Sequence, residues 1–483
     1  MPRNPLSFFN HPRVAGGACA APATSIILSS TAVLFTLTFS TSFARTEPLG
    51  EPPGQQPGRN PTVERIVSEI SADTLRATID RLVGFKTRHT LSDTTSDSRG
   101  IGAARRWIKG EFLRDAGASH GRMTVEFQES IAPLSRRVPR PVNIVNVIAT
   151  LRPAVSQAPE RVFLISGHYD SRISDALDST GEAPGADDDG SGTALVLELA
   201  RVMSKYQFRA TIVFAAFAGE EQGLLGSTEA ARAASSGGWR LEGVLNNDIV
   251  GSSRGGDGRI ESTSVRIFSE AYSPADTGAA FRRRNQLGLE NDGGSRALAR
   301  YVKETGELFV PNFAVTMIYR GDRFLRGGDH SSFHARGFPA VRLTESAENF
   351  DHQHQNVRSE RDRAYGDLPE FVDAGYCARV ARVNAAALAS LALAPSAPDS
   401  VEMVTRDLGY DTQLRWRRNR EQDLAGYAIR YRETTAPVWQ HSLFTKDTTA
   451  LLPVSKDDFI FGVQSVDAGG NQSIVVTPRP ANR

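Results

Sequence analysis

Hydrophobic residues fall along this chain in three rhythms, and each predicts a different kind of element. Unbroken apolar runs come first: Asn143–Leu151 (NIVNVIATL), Arg161–Ser166 (RVFLIS) and Thr211–Phe217 (TIVFAAF), with shorter ones at Leu241–Leu245 and Phe338–Leu343 (FPAVRL). Runs rich in β-branched residues without polar alternation read as strands buried on both faces. Between them, Thr193–Met203 (TALVLELARVM) carries apolar residues at helical spacing behind small Gly and Ser residues, and a long helical pattern covers Gly366–Leu393. Strands alternating with helices predict an α/β fold: a mostly parallel open sheet with helices on both faces.

The third rhythm begins after Leu391–Pro398 (LALAPSAP), where Ala and Pro end the helical run. Leu414-x-Trp416, Gly426-Tyr427-x-Ile429-x-Tyr431 and Phe459-x-Phe461-x-Val463-x-Ser465-x-Asp467 alternate with period two, separated by turn residues. That pattern predicts a small antiparallel β-sandwich with Trp416 and Tyr431 as core aromatics. A Pro- and Gly-rich stretch marks the other boundary. The expected division is a leader over 1–44, a linker over 45–61, an α/β domain over 62–395 and an all-β module over 396–483.

The leader changes the compartment. Only Arg3 and Arg13 are charged before Arg45, and an apolar, Ser- and Thr-rich run from Ser25 to Phe43 ends in Ser42-Phe43-Ala44. A basic start, an apolar middle and small residues at the end read as a secretory signal cut after Ala44. An uncleaved anchor is the alternative, since about 20 apolar residues span a bilayer. The polar content of the run and the Pro-Gly linker behind it favour cleavage. A secreted, extracellular or periplasmic protein with no stable membrane insertion is expected.

Length and composition narrow the class. The chain has 483 residues, enough for two or three units of about 100–200 residues each. Its 56 Lys and Arg stand against 55 Asp and Glu, a net charge of +1. Loss of Arg3 and Arg13 with the leader makes it −1. A nucleic-acid binder carries a basic excess and a disordered acidic chain lacks apolar residues; neither describes a chain that is 40% hydrophobic. Cys19 and Cys377, its two cysteines, build neither a disulfide framework nor a thiolate metal cluster. A metal must be held by His, Asp and Glu.

Such residues cluster behind the predicted strands. Gly167-His168-Tyr169-Asp170-Ser171 follows Arg161–Ser166, and a loop leads on to Pro184-Gly185-Ala186-Asp187-Asp188-Asp189-Gly190-Ser191-Gly192. Gly219-Glu220-Glu221-Gln222-Gly223 follows Thr211–Phe217, Asn246-Asn247-Asp248 follows Leu241–Leu245, and Asp351-His352-Gln353-His354 comes after Phe338–Leu343. In open α/β sheets ligands bind at the carboxyl ends of strands, where these clusters converge. Three consecutive aspartates repel one another unless a cation or hydrogen-bond donors sit among them. Two imidazoles with carboxylates and no thiolate suit a catalytic Zn²⁺ site, and Mn²⁺ or Co²⁺ accept similar ligands.

In their order, His168-x-Asp170, Pro184-Gly185-Ala186-Asp187-Asp188-Asp189-x-Ser191-Gly192, Gly219-Glu220-Glu221-x-Gly223-Leu224-x-Gly226-Ser227, Asp248 and Asp329-His330-x-x-Phe333 resemble the secreted di-zinc aminopeptidases of the bacterial leucyl aminopeptidase type. That family includes glutamate carboxypeptidase and, more distantly, glutaminyl cyclases, and the likeness covers most of residues 63–395. It implies two Zn²⁺ ions per chain: His168 and Asp248 on one, Glu221 and His354 on the other, and the Asp188 carboxylate bridging them, with the Asp188–Asp189 peptide bond often cis in the family. Glu220 would be the general base for a metal-bridging water. Asp170, the second residue of the catalytic set, would accept the free N–H of the His168 imidazole. Asp329 would orient a ligand or cap a helix.

His352 stands two residues from His354, and the family pattern favours His354. Gln355-Asn356-Val357-Arg358 departs from the family's Thr- and Asp-bearing turn, which leaves the form of that loop open. Tyr319 and the run Arg320–Arg326 (RGDRFLR) are candidates for substrate contact, with structural packing and a loop ion-pair network as their plainer readings. The C-terminal stretch resembles a fibronectin type III module, including the turn Val466-Asp467-x-x-Gly470-Asn471. What it binds is not assigned.

The expected activity is a secreted metal-dependent exopeptidase, an aminopeptidase acting on peptides. The alternatives are a carboxypeptidase or glutaminyl cyclase on the same scaffold, or a non-catalytic adhesion-like protein. A cyclase works with one zinc and has no need of both His168 and Asp248; a relic loses ligands or the base, and here none is missing.

Overall fold

A computed structural model describes residues 59–154, 160–272, 276–286, 293–406 and 409–481. The expected leader over 1–44 and all but the end of the linker over 45–61 lie outside the described residues. Three helices lead: α1 (Pro61–Ser68), α2 (Ala72–Val83) and α3 (Gly100–Ala116). Asn60 and Ser71 cap the first two, accepting the backbone N–H of Thr62 and Thr74, which satisfies donors a helix start leaves open. Then follow β1 (Met123–Ile131), β2 (Asn143–Leu151), β3 (Arg161–His168), α4 (Gly190–Met203), β4 (Thr211–Phe217), α5 (Leu225–Ser236) and β5 (Arg240–Asn247). Next come β6 (Ser264–Ser269), α6 (Gly278–Gln286), α7 (Gly294–Phe309), β7 (Ala314–Ile318), α8 (His330–His334) and β8 (Ala340–Glu345). A hairpin of β9 (Arg358–Glu360) and β10 (Arg363–Tyr365) precedes α9 (Ala374–Leu393).

Among the described residues, strands β1 to β8 form one sheet in the order β1-β2-β4-β3-β5-β8-β6-β7. Its centre, β4-β3-β5-β8, is parallel. Antiparallel pairings join β1 to β2, β2 to β4 and β6 to β8. The unbroken apolar runs have the reason their composition implies. Phe163 and Ile165 of β3, with Ile212 and Phe214 of β4, join a core formed with residues of α1 to α4, α7 and α9. Val162, Leu164, Val213 and Ala215 face the other way, onto α5 and Phe333 of α8. Both faces are covered, so no polar alternation survives.

The helix read over Gly366–Leu393 begins later, at Ala374. Gly366 has φ +105° and Leu368, before Pro369, is extended, as the ring of a following proline favours. The true start is the N-cap Asp373, which accepts the Tyr376 N–H.

Beyond α9, β11 (Asp399–Val404), β12 (Thr412–Arg417), β13 (Leu424–Glu433), β14 (His441–Thr445), β15 (Thr449–Leu452), β16 (Phe459–Asp467) and β17 (Arg479–Pro480) form two facing sheets, ordered β15-β12-β11-β17 and β14-β13-β16. Val401, Leu414, Trp416, Tyr427, Ile429 and Phe461 fill the space between them. Trp416 meets Tyr427 edge-on at 5.2 Å, while Tyr431 is only partly buried against this core. No helix among the described residues is long and apolar enough to cross a membrane.

Candidate active site

Strand β3 lies between β4 and β5, so the chain leaves it in opposite directions and a crevice opens at its carboxyl end. His168 is the last residue of β3, the aspartate run leads into α4, Glu220 and Glu221 sit in the turn after β4, and Asp248 follows β5 directly. His354 arrives from the loop after β8, in a left-handed conformation with φ +53°.

The three aspartates do three jobs. Asp189 caps α4 by accepting the Gly192 N–H at 2.9 Å, and it also accepts those of His168 at 2.9 Å and Ile249 at 3.3 Å. The helix start packs so closely that a Cβ on Gly192 would lie 2.3 Å from the Asn247 carbonyl oxygen. Asp187 accepts the Gly251 N–H at 2.7 Å. Asp188 alone turns its carboxylate to the imidazoles, and the Asp188–Asp189 peptide bond is cis.

Two donor groups share Asp188. His168 Nε2 lies 3.2 Å from its Oδ1 and 3.9 Å from Asp248 Oδ1. His354 Nε2 lies 3.0 Å from its Oδ2 and 2.9 Å from Glu221 Oε1. Within each group the ligand atoms fall within 4.8 Å of one another. One carboxylate thus offers one oxygen to each side. The structure brings His354 into this set and not His352, whose ring stacks on Phe371 at 3.8 Å.

The donor set fits zinc on its own chemistry. It is nitrogen and carboxylate without thiolate, and the buried Glu221 Oε1 has no aligned hydrogen-bond donor. His168 Nδ1 faces the Asp170 carbonyl oxygen at 3.1 Å, so the proton belongs on Nδ1 and the Nε2 lone pair is free. His354 differs. Its Nδ1 lies 2.6 Å from Arg172 Nη2, itself a donor; ligation through Nε2 leaves a proton on Nδ1 and requires Arg172 to give up that contact.

Charge explains the rest of the site. Burial works to lower the His354 pKa, yet Glu221 and Asp188 raise it to about 10. His168 is likewise held well above its ordinary value against burial, by Asp170 and Asp188. Asp188 is held well below the usual carboxylate range, against burial, by His354 and His168. The surrounding acids thus favour positive charge at this point of the site. Half-buried Glu220 is raised well above its ordinary value by burial and by Asp248 and Glu221.

Asp170 stands beside the His168 imidazole and also serves the glutamate turn. Its carboxylate is 3.6 Å from His168 Nδ1, and the closer contact is its backbone carbonyl. The carboxylate instead accepts the Thr90 hydroxyl at 3.0 Å and the N–H groups of Glu220 and Glu221 at 3.2 Å each. It therefore positions the turn that carries both glutamates. Asp329 forms no capping bond; its carboxyl is fully buried with neither oxygen closely hydrogen-bonded, and burial raises it to about 7. Tyr319 packs under the Arg296 guanidinium at 4.3 Å.

Several supporting residues escaped the sequence reading. Arg342, fully buried, pairs with Asp248 Oδ1 at 2.8 Å and donates to the Asp248 carbonyl oxygen at 3.3 Å and to Asp322 at 3.1 Å; an arginine inside the apolar run FPAVRL was its visible signal. Arg172 donates to Glu221 Oε2 at 2.8 Å. Arg88, also fully buried, ties the carbonyls of Tyr169 at 2.7 Å and Gly185 at 2.8 Å. Asp367 accepts the N–H of Asp187 at 2.9 Å and of Asp188 at 2.7 Å. It was hidden inside the overlong helical pattern.

A cleft of about 550 Å³ opens over the donors, lined by Asp188, Glu220, Glu221, Asp248 and His354 and walled by arginines and by Leu325 and Phe350. The Arg320–Arg326 run contributes to this wall and also forms an ion-pair network: Arg323 pairs with Asp322 at 3.0 Å and Glu348 at 2.7 Å. A larger cavity, about 1010 Å³, lies between α7 and the sandwich and holds none of the donors.

The family model of peptidase family M28 matches residues 146–365. A probable zinc metalloprotease of Leptosphaeria maculans is 47% identical over 419 residues, 86% of this chain and 97% of that protein. One of Pyrenophora teres f. teres is 46% identical over 419 residues, 86% of each. Among solved structures, the Legionella pneumophila LapA aminopeptidase superposes with a TM-score of 0.50 at 18% identity, covering 71% of this chain and 78% of that one. That is a likeness of fold.

Proposed function

The chain belongs to peptidase family M28 and is a zinc-dependent peptidase; from that premise we propose that it is a secreted aminopeptidase working with two zinc ions. The observation that carries the reading is the divided carboxylate of Asp188, one oxygen toward each imidazole. His168 and Asp248 would hold one ion, Glu221 and His354 the other, with Asp188 common to both. Zinc there supplies a Lewis acid for the scissile carbonyl and lowers the pKa of the attacking water.

The chain's own residues do the remaining work. Glu220 would take the water's proton on its carboxylate and return it to the leaving nitrogen. The Asp170 carboxylate, holding the Glu220 and Glu221 N–H groups, keeps base and ligand on one rigid turn. Arg342 and Arg172 fix Asp248 and Glu221 by charge-assisted hydrogen bonds.

Two broader readings accompany this one. The leader over 1–44 is a signal removed on export, supported by its charge and apolar pattern alone. Residues 396–483 are a fibronectin type III-like module, supported by the two-sheet arrangement with Trp416 at its core.

Peptide hydrolysis with and without chelator, followed by Glu220→Gln, tests the mechanism. Chelation should abolish turnover, zinc should restore it, and Glu220→Gln should remove turnover while zinc stays bound; full activity in that variant refutes the base. The arginines of the cleft favour a second reading, carboxypeptidase action. A free-amine aminoacyl-nitroanilide should be cleaved and its N-acetyl form should not; equal rates exclude an amine-anchored site.

A further inference from the structure

The cleft over the donors carries a charge that metal binding does not explain. Arg137, Arg172, Arg323 and Arg326 line it, and its lining carboxylates, Asp188, Glu220, Glu221 and Asp248, are the donors and base themselves. Outside that set, Asp322 pairs with Arg323 and Arg342, and Glu348 pairs with Arg266, Arg323 and, at 3.6 Å, Arg326. Of the four lining arginines these two carboxylates reach Arg323 and Arg326, and Arg172 pairs with Glu221. Arg137 has none: it donates Nη1 to the Glu221 carbonyl oxygen at 2.7 Å and, among the described residues, pairs with no acid. Arg326 gives Nη1 to Gln353 at 3.1 Å and lies 5.9 Å from the centre of the Phe350 ring, with its Nε and Nη2 uncommitted.

Once cations neutralise the donor carboxylates, this wall is net positive, with Arg326 half-buried and Arg137 open to solvent. A neutral or cationic peptide gains nothing there, whereas a carboxylate gains charge-assisted bonds to planar guanidinium groups. We propose that the cleft selects peptides bearing a carboxylate close to the scissile bond on the leaving side, received by Arg137 and Arg326. The carboxylate is either the free C-terminus of a dipeptide or an acidic side chain. This rests on the peptidase reading above and names its substrate class.

The test uses the full zinc-loaded chain and three substrates: Leu-Ala, Leu-Ala-amide and Leu-Glu-amide. At least one of the two carboxylate substrates should exceed Leu-Ala-amide by about tenfold in kcat/KM, the worth of a hydrogen bond to a charged group, and which one does so identifies the source of the carboxylate. Arg137→Gln and Arg326→Gln should each shrink that ratio through KM, with kcat for Leu-Ala-amide much less affected. Equal rates on all three substrates overturn the selectivity and leave the peptidase reading standing. So does a preference that neither substitution moves. No hydrolysis of any of the three strikes the peptidase reading itself.

Discussion

The two donor groups that share Asp188 are built in opposite ways. His168 and Asp248 sit at the ends of adjoining parallel strands, both fully buried, and Asp248 is braced by Arg342, which has no exposed surface. Glu221 and His354 come from a turn and a loop; the His354 side chain keeps 24% of its surface exposed, and the brace, Arg172, keeps 15%. One half is part of the sheet and the other is part of the cleft wall. A strand end fixes its ligand through the core, whereas a loop ligand is held by a few polar contacts and can move.

Removing the residue common to both halves should do the most. Asp188→Ala should take zinc content from two ions per chain toward none by elemental analysis, with activity lost well beyond the roughly hundredfold that losing a ligand's hydrogen-bond partner costs. Retention of one tightly held ion in that variant would break the shared-carboxylate picture. Next in size is a difference in stability. In the metal-free protein, Asp248→Ala removes one partner of a guanidinium that cannot reach water and should cost about 3 kcal/mol in denaturant unfolding. Glu221→Ala leaves Arg172, which keeps some exposed surface, able to turn outward and should cost less than Asp248→Ala. Equal costs erase the distinction.

A smaller effect concerns release. Titration with a chelator should empty the cleft-facing half first, and His354→Ala should leave one slowly released ion; simultaneous loss of both denies the asymmetry. The smallest effect is on pH. His354 in the metal-free chain titrates near 10, above its unfolded value of about 6.5. The folded state binds that proton more tightly, so its stabilisation is complete below about 6.5 and is lost as pH rises toward 10. Metal-free protein should therefore melt progressively earlier between those limits, relative to metal-free His354→Gln. An identical slope in the two proteins removes His354 as the cause.

The sheet-borne half was the more legible in the sequence for the same physical reason. A strand buried on both faces must be apolar throughout, so Arg161–Ser166 and Thr211–Phe217 stand out, and the polar clusters behind them mark strand ends. Strand β1 lacks that signal: it is an edge strand whose residues are mostly exposed or half-exposed, so no continuous run advertises it. Helix α5 is short of large apolar residues and packs through alanines. The braces were harder still. Arg88 and Asp367 reach loops 81 and 179–180 positions away in sequence, and no local pattern encodes a partner at that distance.

Local chemistry fixed which residue types this chain offers a cation, and in what order, because strand composition and Gly-bounded polar clusters are written over a few consecutive positions. Folding alone decided that Asp188 faces both imidazoles, that His354 reaches the site while His352 stacks away from it, and that four arginines gather on the cleft wall. Those outcomes depend on which distant segments share one rim, and that is settled only when the whole sheet buries its two faces.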